Sequence, residues 1–140
     1  MIVGTVNGCF DVLHVAHIRF LEKVKSKCDK LIVLLNSDES VRGLKGDNRP
    51  INNEQDRKEM LLALKCVDEV IIFNESTPLN VLSKVKPNIH AKGGKFDVEK
   101  TKKERKIVES FGGQLIFLPL EEGYSSTNTI EKAKIIKKKS

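Results

Sequence analysis

The stretch IVGTVNGCFDVLHVAHIRFLEKVK, from Ile2 to Lys25, decides how the rest of this 140-residue chain is read. Ile2 to Asn7 is an apolar, β-branched run of strand length. Gly8 punctuates it, and beyond the turn Leu13, His17, Phe20, Leu21, Val24 and Cys28 recur at the spacing of a helix face packed on a sheet. A strand, a glycine turn and an amphipathic helix in that order predict an alternating α/β chain. Two histidines, His14 and His17, stand where the turn meets the helix.

The alternation continues outward. Strand-like runs are expected at Lys30–Asn36, Glu69–Phe73, Asn88–Lys92 and Gln114–Leu120, each followed by a helix-like segment. Asn53 reads as the N-cap of a helix over Glu54–Cys66 with Met60, Leu61 and Leu64 inward. Thr77-Pro78 opens another helix, Gly112-Gly113 closes one that carries Ile107, Val108 and Phe111, and a last one begins near Thr127. Strands apolar throughout, rather than alternately, indicate a parallel sheet covered on both faces. The expected fold is α/β: a Rossmann-like, doubly wound parallel five-stranded sheet in a single domain over residues 1–140, with a basic tail at 134–140. Such sheets bind ligands at the carboxyl ends of their strands, where the strand order reverses, so chemistry is expected in the loops after strands one, two, four and five.

Composition narrows the partners. Hydrophobic residues at 39% and charged residues at 31% are ordinary for a globular protein. No apolar run is long enough to span a bilayer and MIVGTVNG lacks the features of a secretory signal, so a cytoplasmic location and no membrane partner are expected. Cys9, Cys28 and Cys66 are far apart and odd in number, which argues against a disulfide framework or a thiolate metal site. The formal charge is +6, but Glu131 to Ser140 carries five lysines against one glutamate, leaving about +2 for the rest. So neutral a body, with one Tyr and no Trp, is a poor nucleic-acid platform; small polyanions suit it better.

Four segments on the expected rim carry anion-binding features. His14 and His17, three apart, share a helix face at an N-terminus whose free N–H groups favour phosphate, and Gly8 lets backbone come close. By itself H-x-x-H more often marks a turn residue and a core histidine. After strand two a basic loop is expected, running from Asn36-Ser37-Asp38 through Leu44-Lys45-Gly46 to Arg49-Pro50. After strand four stands Lys92-Gly93-Gly94-Lys95-Phe96, and after strand five Glu122-Gly123-Tyr124-Ser125-Ser126-Thr127-Asn128, with hydroxyls at another helix start. Four such features on one rim are improbable as coincidence.

GCFD-x-x-H-x-x-H, LKG, KGG and EGYSSTN together resemble the cytidylyltransferase-like nucleotidylyltransferases over nearly the whole chain. Within them, VNGCFD, LKGDNRP, AKGG and EEGYSSTN are most similar to the adenylyltransferase domains of bifunctional heptose kinase/adenylyltransferases. The resemblance implies transfer of AMP from ATP to D-glycero-D-manno-heptose 1-phosphate, giving ADP-heptose and pyrophosphate for lipopolysaccharide or other surface glycans. It implies a homodimer, and a stand-alone transferase fed by a separate kinase. It assigns catalysis to His14, His17 and Lys45, and nucleotide contacts to Gly8, Cys9, Phe10, Lys92, Gly93, Gly94, Ser126 and Thr127. Arg57 is assigned to substrate binding. Two positions depart from the related pattern: Ala16 where H-x-G-H has glycine, expected to add a methyl where the nucleotide packs, and Lys95 where aspartate usually follows KGG.

The chemistry this implies needs no strong general base, because a phosphate monoester with a second pKa near ~6 is already nucleophilic at neutral pH. Positioning and electrostatics carry such a reaction. Mg²⁺ is the expected cofactor, bridging triphosphate oxygens while keeping most of its waters, with no protein metal ligand. Asp11 is expected to order the turn, and His90 to be a packing residue. The alternatives are a cytidylyltransferase using CTP and glycerol 3-phosphate or a related phosphorylated alcohol, which KGG disfavours, and a nucleotide-binding subunit without catalysis.

Overall fold

The computed structural model describes residues 1–94 and 98–119. Lys95, the Ser126-Thr127 segment, the helix expected near Thr127 and the basic tail lie outside the described residues. Five strands, β1 (Val3–Gly8), β2 (Lys30–Asn36), β3 (Glu69–Phe73), β4 (Ile89–Gly93) and β5 (Gln114–Leu118), form one sheet in the order β3-β2-β1-β4-β5. Every pairing is parallel, Val3–Gly8 lying in register with Lys30–Leu35 and Ile89–Gly93 with Gln114–Leu118. The chain winds from β1 through β2 to β3, then returns to place β4 on the other side of β1. The order therefore reverses between β1 and β4, which is where such a sheet opens its crevice.

The helices are α1 (Val15–Lys25), α2 (Asp38–Lys45), α3 (Glu54–Leu62), α4 (Leu79–Val85) and α5 (Val98–Ser110). Strand β2 shows why both faces are covered. Leu31, Val33 and Leu35 point into one cluster with Phe20, Leu21 and Val24 of α1 and Leu61 of α3. Ile32 and Leu34 point into the other, with Val81 and Leu82 of α4 and Val108 of α5. Burying each such side chain contributes roughly 1.5–3 kcal/mol, so a strand buried on both sides anchors the sheet.

Three local expectations change. The segment after β2 is a helix rather than a basic loop: Ser37 caps α2 by accepting from the Ser40 N–H, and Asp38 and Glu39 sit in its first turn. Asn53 caps α3 as its sequence suggests, but that helix stops at Leu62, and Met60 is 36% exposed while Leu61 is fully buried. Helix α1 begins at Val15, so Leu13 meets the core from the turn rather than from the helix.

Candidate active site

The turn after β1 is built around one buried carboxylate. Asp11 accepts from Arg49 Nε at 2.7 Å and from the backbone N–H groups of Ile51 and Asn52 at 2.9 Å, while its carbonyl accepts from Asn52 Nδ2 at 2.6 Å. Burial pushes this carboxyl's pKa up, but the Asn52, Ile51 and Arg49 donors outweigh burial and hold it below the usual range. Asp11 thus ties the β1 turn to the α2–α3 connection, as its place in the turn suggests.

Arg57 ties the same turn from beneath. Its guanidinium donates to Asn52 O at 2.9 Å, and at 2.8 Å to Cys9 O, Asn36 O and Asp38 Oδ1. Those bonds use four of its five N–H donors, and the residue is 0% exposed. Arg57, which the resemblance assigns to substrate binding, thus offers no exposed surface in this structure and joins the ends of β1 and β2 to α3.

Held in this way, the turn presents its side chains at the start of α1. Phe10 takes φ +46°, and a Cβ on Gly8 would stand 2.9 Å from the Phe10 ring, so glycine is what lets that ring fold back. Phe10 meets His17 edge-on at 5.7 Å, and the His14 and His17 rings stack with centroids 4.0 Å apart. His14 is the N-cap of α1, and its backbone N–H donates to His17 Nδ1 at 3.3 Å. As acceptor, Nδ1 carries no proton, so the neutral His17 ring keeps its proton on Nε2. Burial first, then the His14 and Lys45 charges, lower the His17 pKa to about 4. At neutral pH His17 is an uncharged N–H donor at a helix N-terminus, suited to a phosphoryl oxygen.

Lys45 ends α2, exposed, close enough to act on both His17 and the Cys9 thiol, whose pKa burial raises. Ala16 is only 4% exposed at the second position of α1, so its methyl is buried by protein and leaves little surface for a nucleotide to meet.

Across the crevice, Lys92 Nζ lies 3.0 Å from Asn7 Oδ1 and 3.0 Å from Glu104 Oε2. Gly93 ends β4 and Gly94 turns the chain away with φ +96°, a conformation that glycine takes without strain. The structure therefore gathers Gly8, Cys9, Phe10, His14, His17 and Lys45 around the turn after β1, with Lys92, Gly93 and Gly94 at the neighbouring end of β4. Sequence reading does not single out Asn7, Glu104 or the partners of His90. Only the proximity of Asn7 to Gly8 hints at the first, and the α5 face of Glu104 reads as solvated charge.

Comparison with known proteins adds to this geometry. A family model described as cytidylyltransferase-like matches residues 5–132. Proteins named bifunctional protein HldE are similar over 94% of the chain, at 47% identity in Hyphomonas neptunium and 44% in Nitrobacter winogradskyi. The chain spans about a quarter of their length, 27% in each. A lipopolysaccharide core biosynthesis protein from Thermoplasma volcanium shares 28% identity at a TM-score of 0.70, covering 89% of this chain and 99% of that one. Thermotoga maritima TmcAL shares the fold at a TM-score of 0.70 and 13% identity, covering 99% of this chain and 51% of that one.

Proposed function

Because the chain belongs to the cytidylyltransferase-like family, we propose that it is a nucleotidylyltransferase moving AMP from ATP to a sugar 1-phosphate, D-glycero-D-manno-heptose 1-phosphate. The acceptor's phosphate oxygen attacks the α-phosphorus of ATP, the bond from that phosphorus to the bridging oxygen breaks, and pyrophosphate leaves with the electron pair. The products are ADP-heptose and pyrophosphate. The similarity to a lipopolysaccharide core biosynthesis protein supports a surface glycan as the destination.

The observation that carries this reading is the His17 imidazole, neutral and with its Nε2–H fixed as donor, at the α1 N-terminus beside the sheet's switch point. A neutral donor gains strength as negative charge builds on the phosphoryl oxygens, which is selective for the transition state. His14 stacks on His17 and holds its orientation. Lys45 and Lys92 supply positive charge on the two sides of the crevice, and the backbone of Gly8, Cys9, Phe10, Gly93 and Gly94 borders the nucleotide. Ser126 and Thr127 complete the phosphate site in this proposal.

Mg²⁺ fits these residues as a companion of the nucleotide. Among the described residues no cluster of three His, Cys, Asp or Glu could hold a metal ion, and the Asp11 carboxylate is committed to Arg49, Ile51 and Asn52. The rim offers donors to triphosphate oxygens, so the ion would be held by those oxygens and water, where it neutralises charge. No helix among the described residues is long and apolar enough to cross a membrane. A cytoplasmic homodimer is part of the proposal, to be checked by light scattering on the purified protein.

The deciding assay is pyrophosphate release with ATP or CTP against D-glycero-D-manno-heptose 1-phosphate, other sugar 1-phosphates and glycerol 3-phosphate. The expected outcome is the highest kcat/KM for ATP with the heptose phosphate. Preference for CTP with glycerol 3-phosphate would replace this reading. Nucleotide binding without turnover on any acceptor would leave a binding subunit.

A further inference from the structure

His90, read from sequence as packing, is fully buried but is part of a polar chain. Its Nδ1 lies 2.7 Å from Thr5 Oγ1 on β1, and its Nε2 faces Glu104 Oε2 of α5 at 3.6 Å. Glu104 in turn meets Lys92 at 3.0 Å, and Lys92 meets Asn7. The chain Thr5–His90–Glu104–Lys92–Asn7 thus begins and ends on β1 and crosses β4 and α5, directly beneath the crevice.

An ammonium has three N–H donors. With two acceptors fixed on different elements, Asn7 on β1 and Glu104 on α5, tetrahedral geometry sets the direction of the third. The Lys92 side chain remains 20% exposed and that of Glu104 13%. A carboxylate this buried is costly unless its charge is met from within the protein. Burial does push the Glu104 carboxyl's pKa upward, but His90 and Lys92 outweigh it and keep the group ionised. Burial also lowers the pKa of His90, so the imidazole backs Glu104 as a neutral ring.

Resting on the reading that phosphoryl groups bind at this rim, we propose that Glu104, backed by His90, is a positioning residue that aims the Lys92 ammonium at the substrate's phosphoryl oxygens. Glu104 does not strengthen the pull on an anion, because it cancels part of the Lys92 charge. It orders a side chain that would otherwise have many rotamers to lose on binding. Removing Glu104 frees the full Lys92 charge and also frees its rotamers, opposite effects on affinity, so affinity should hold while turnover, which needs the aim, falls.

The test uses the full chain, with inorganic pyrophosphate as the binding probe. Pyrophosphate should shift the Lys92 ¹⁵Nζ resonance in the unsubstituted protein. In Glu104→Leu that resonance should broaden through solvent exchange, pyrophosphate affinity by calorimetry should hold within about twofold, and kcat should fall about tenfold, the loss of one charge-assisted hydrogen bond. Glu104→Gln, which keeps an acceptor oxygen and the side chain's shape, should retain the resonance and most of the turnover, and it serves if the leucine variant does not fold. Unchanged resonance and kcat in a folded Glu104→Leu, or no response of Lys92 to pyrophosphate in the unsubstituted protein, would overturn the proposal. If no nucleotide and acceptor pair turns over while Lys92 answers pyrophosphate in a Glu104-dependent way, the functional reading fails and the positioning role stands.

Discussion

His17 combines two properties that a surface histidine lacks: a fixed tautomer and a pKa of about 4. Its replacement by Ala should lower kcat about 100-fold, the effect of losing one transition-state donor, with a much smaller change in ATP affinity. Steady-state kinetics beside calorimetric ATP binding would separate the two, and equal losses would remove the transition-state role. The same burial has a consequence for stability. Between the ordinary 6.5 and about 4 the unfolded chain takes up a proton that the folded chain refuses. The His17 contribution is therefore full above pH 6.5 and is lost as pH falls toward 4. Urea midpoints of His17→Gln should fall less steeply than those of the unsubstituted protein over that window. Parallel curves would show that the imidazole is not buried as described.

At the scale of elements, the decisive feature is how the β1 turn is fastened to α2 and α3. Arg57 reaches oxygens of Cys9, Asn36, Asp38 and Asn52, and Asp11 gathers donors from Arg49, Ile51 and Asn52. Removing one partner of a buried charged network typically costs 3–5 kcal/mol, so Arg57→Met is expected to destabilise by roughly that amount. Arg57→Lys keeps the charge but has a single donor atom, which cannot reach four separated oxygens, so it should recover only part of the loss. Urea denaturation of both variants checks this. A loss below ~1 kcal/mol in Arg57→Met would mean that the turn is held by other contacts.

For the molecule as a whole, the sheet should be least prone to local opening at its centre. Leu31 to Leu35 of β2 are buried on both faces and paired on both edges, by β1 and β3, whereas β3, among the described residues, pairs with β2 alone. Native-state hydrogen exchange should find the β2 amides opening only with global unfolding, and those of β3 at lower free energy. Faster exchange in β2 than in β3 would contradict the packing described here.

Ile2–Asn7, Gly8 and the stripe through Phe20, Leu21 and Val24 predicted the first strand, turn and helix, and the apolar runs at Lys30–Asn36, Glu69–Phe73, Asn88–Lys92 and Gln114–Leu120 then predicted the doubly wound sheet, because hydrophobic periodicity and glycine punctuation are local properties that survive in one dimension. The two histidines at the start of α1 were legible for the same reason, being three residues apart. Helix α2 was less so, since Val41 is the lone hydrophobic residue buried on it and its polar sequence resembles a loop. What the sequence could not determine was who meets whom across distance. Arg57 sits 48 residues from Cys9, and Thr5 85 residues from His90. Nothing in the spacing of those residues encodes their pairing. Parallel strand order set Thr5 beside His90, and α5 packing set Glu104 against both His90 and Lys92. Burial then turned Arg57, assigned from the resemblance to substrate binding, His90, read as a packing residue, and Glu104, which the sequence did not single out, into the fastening of the site, because a charge withdrawn from water must find its partners inside the protein.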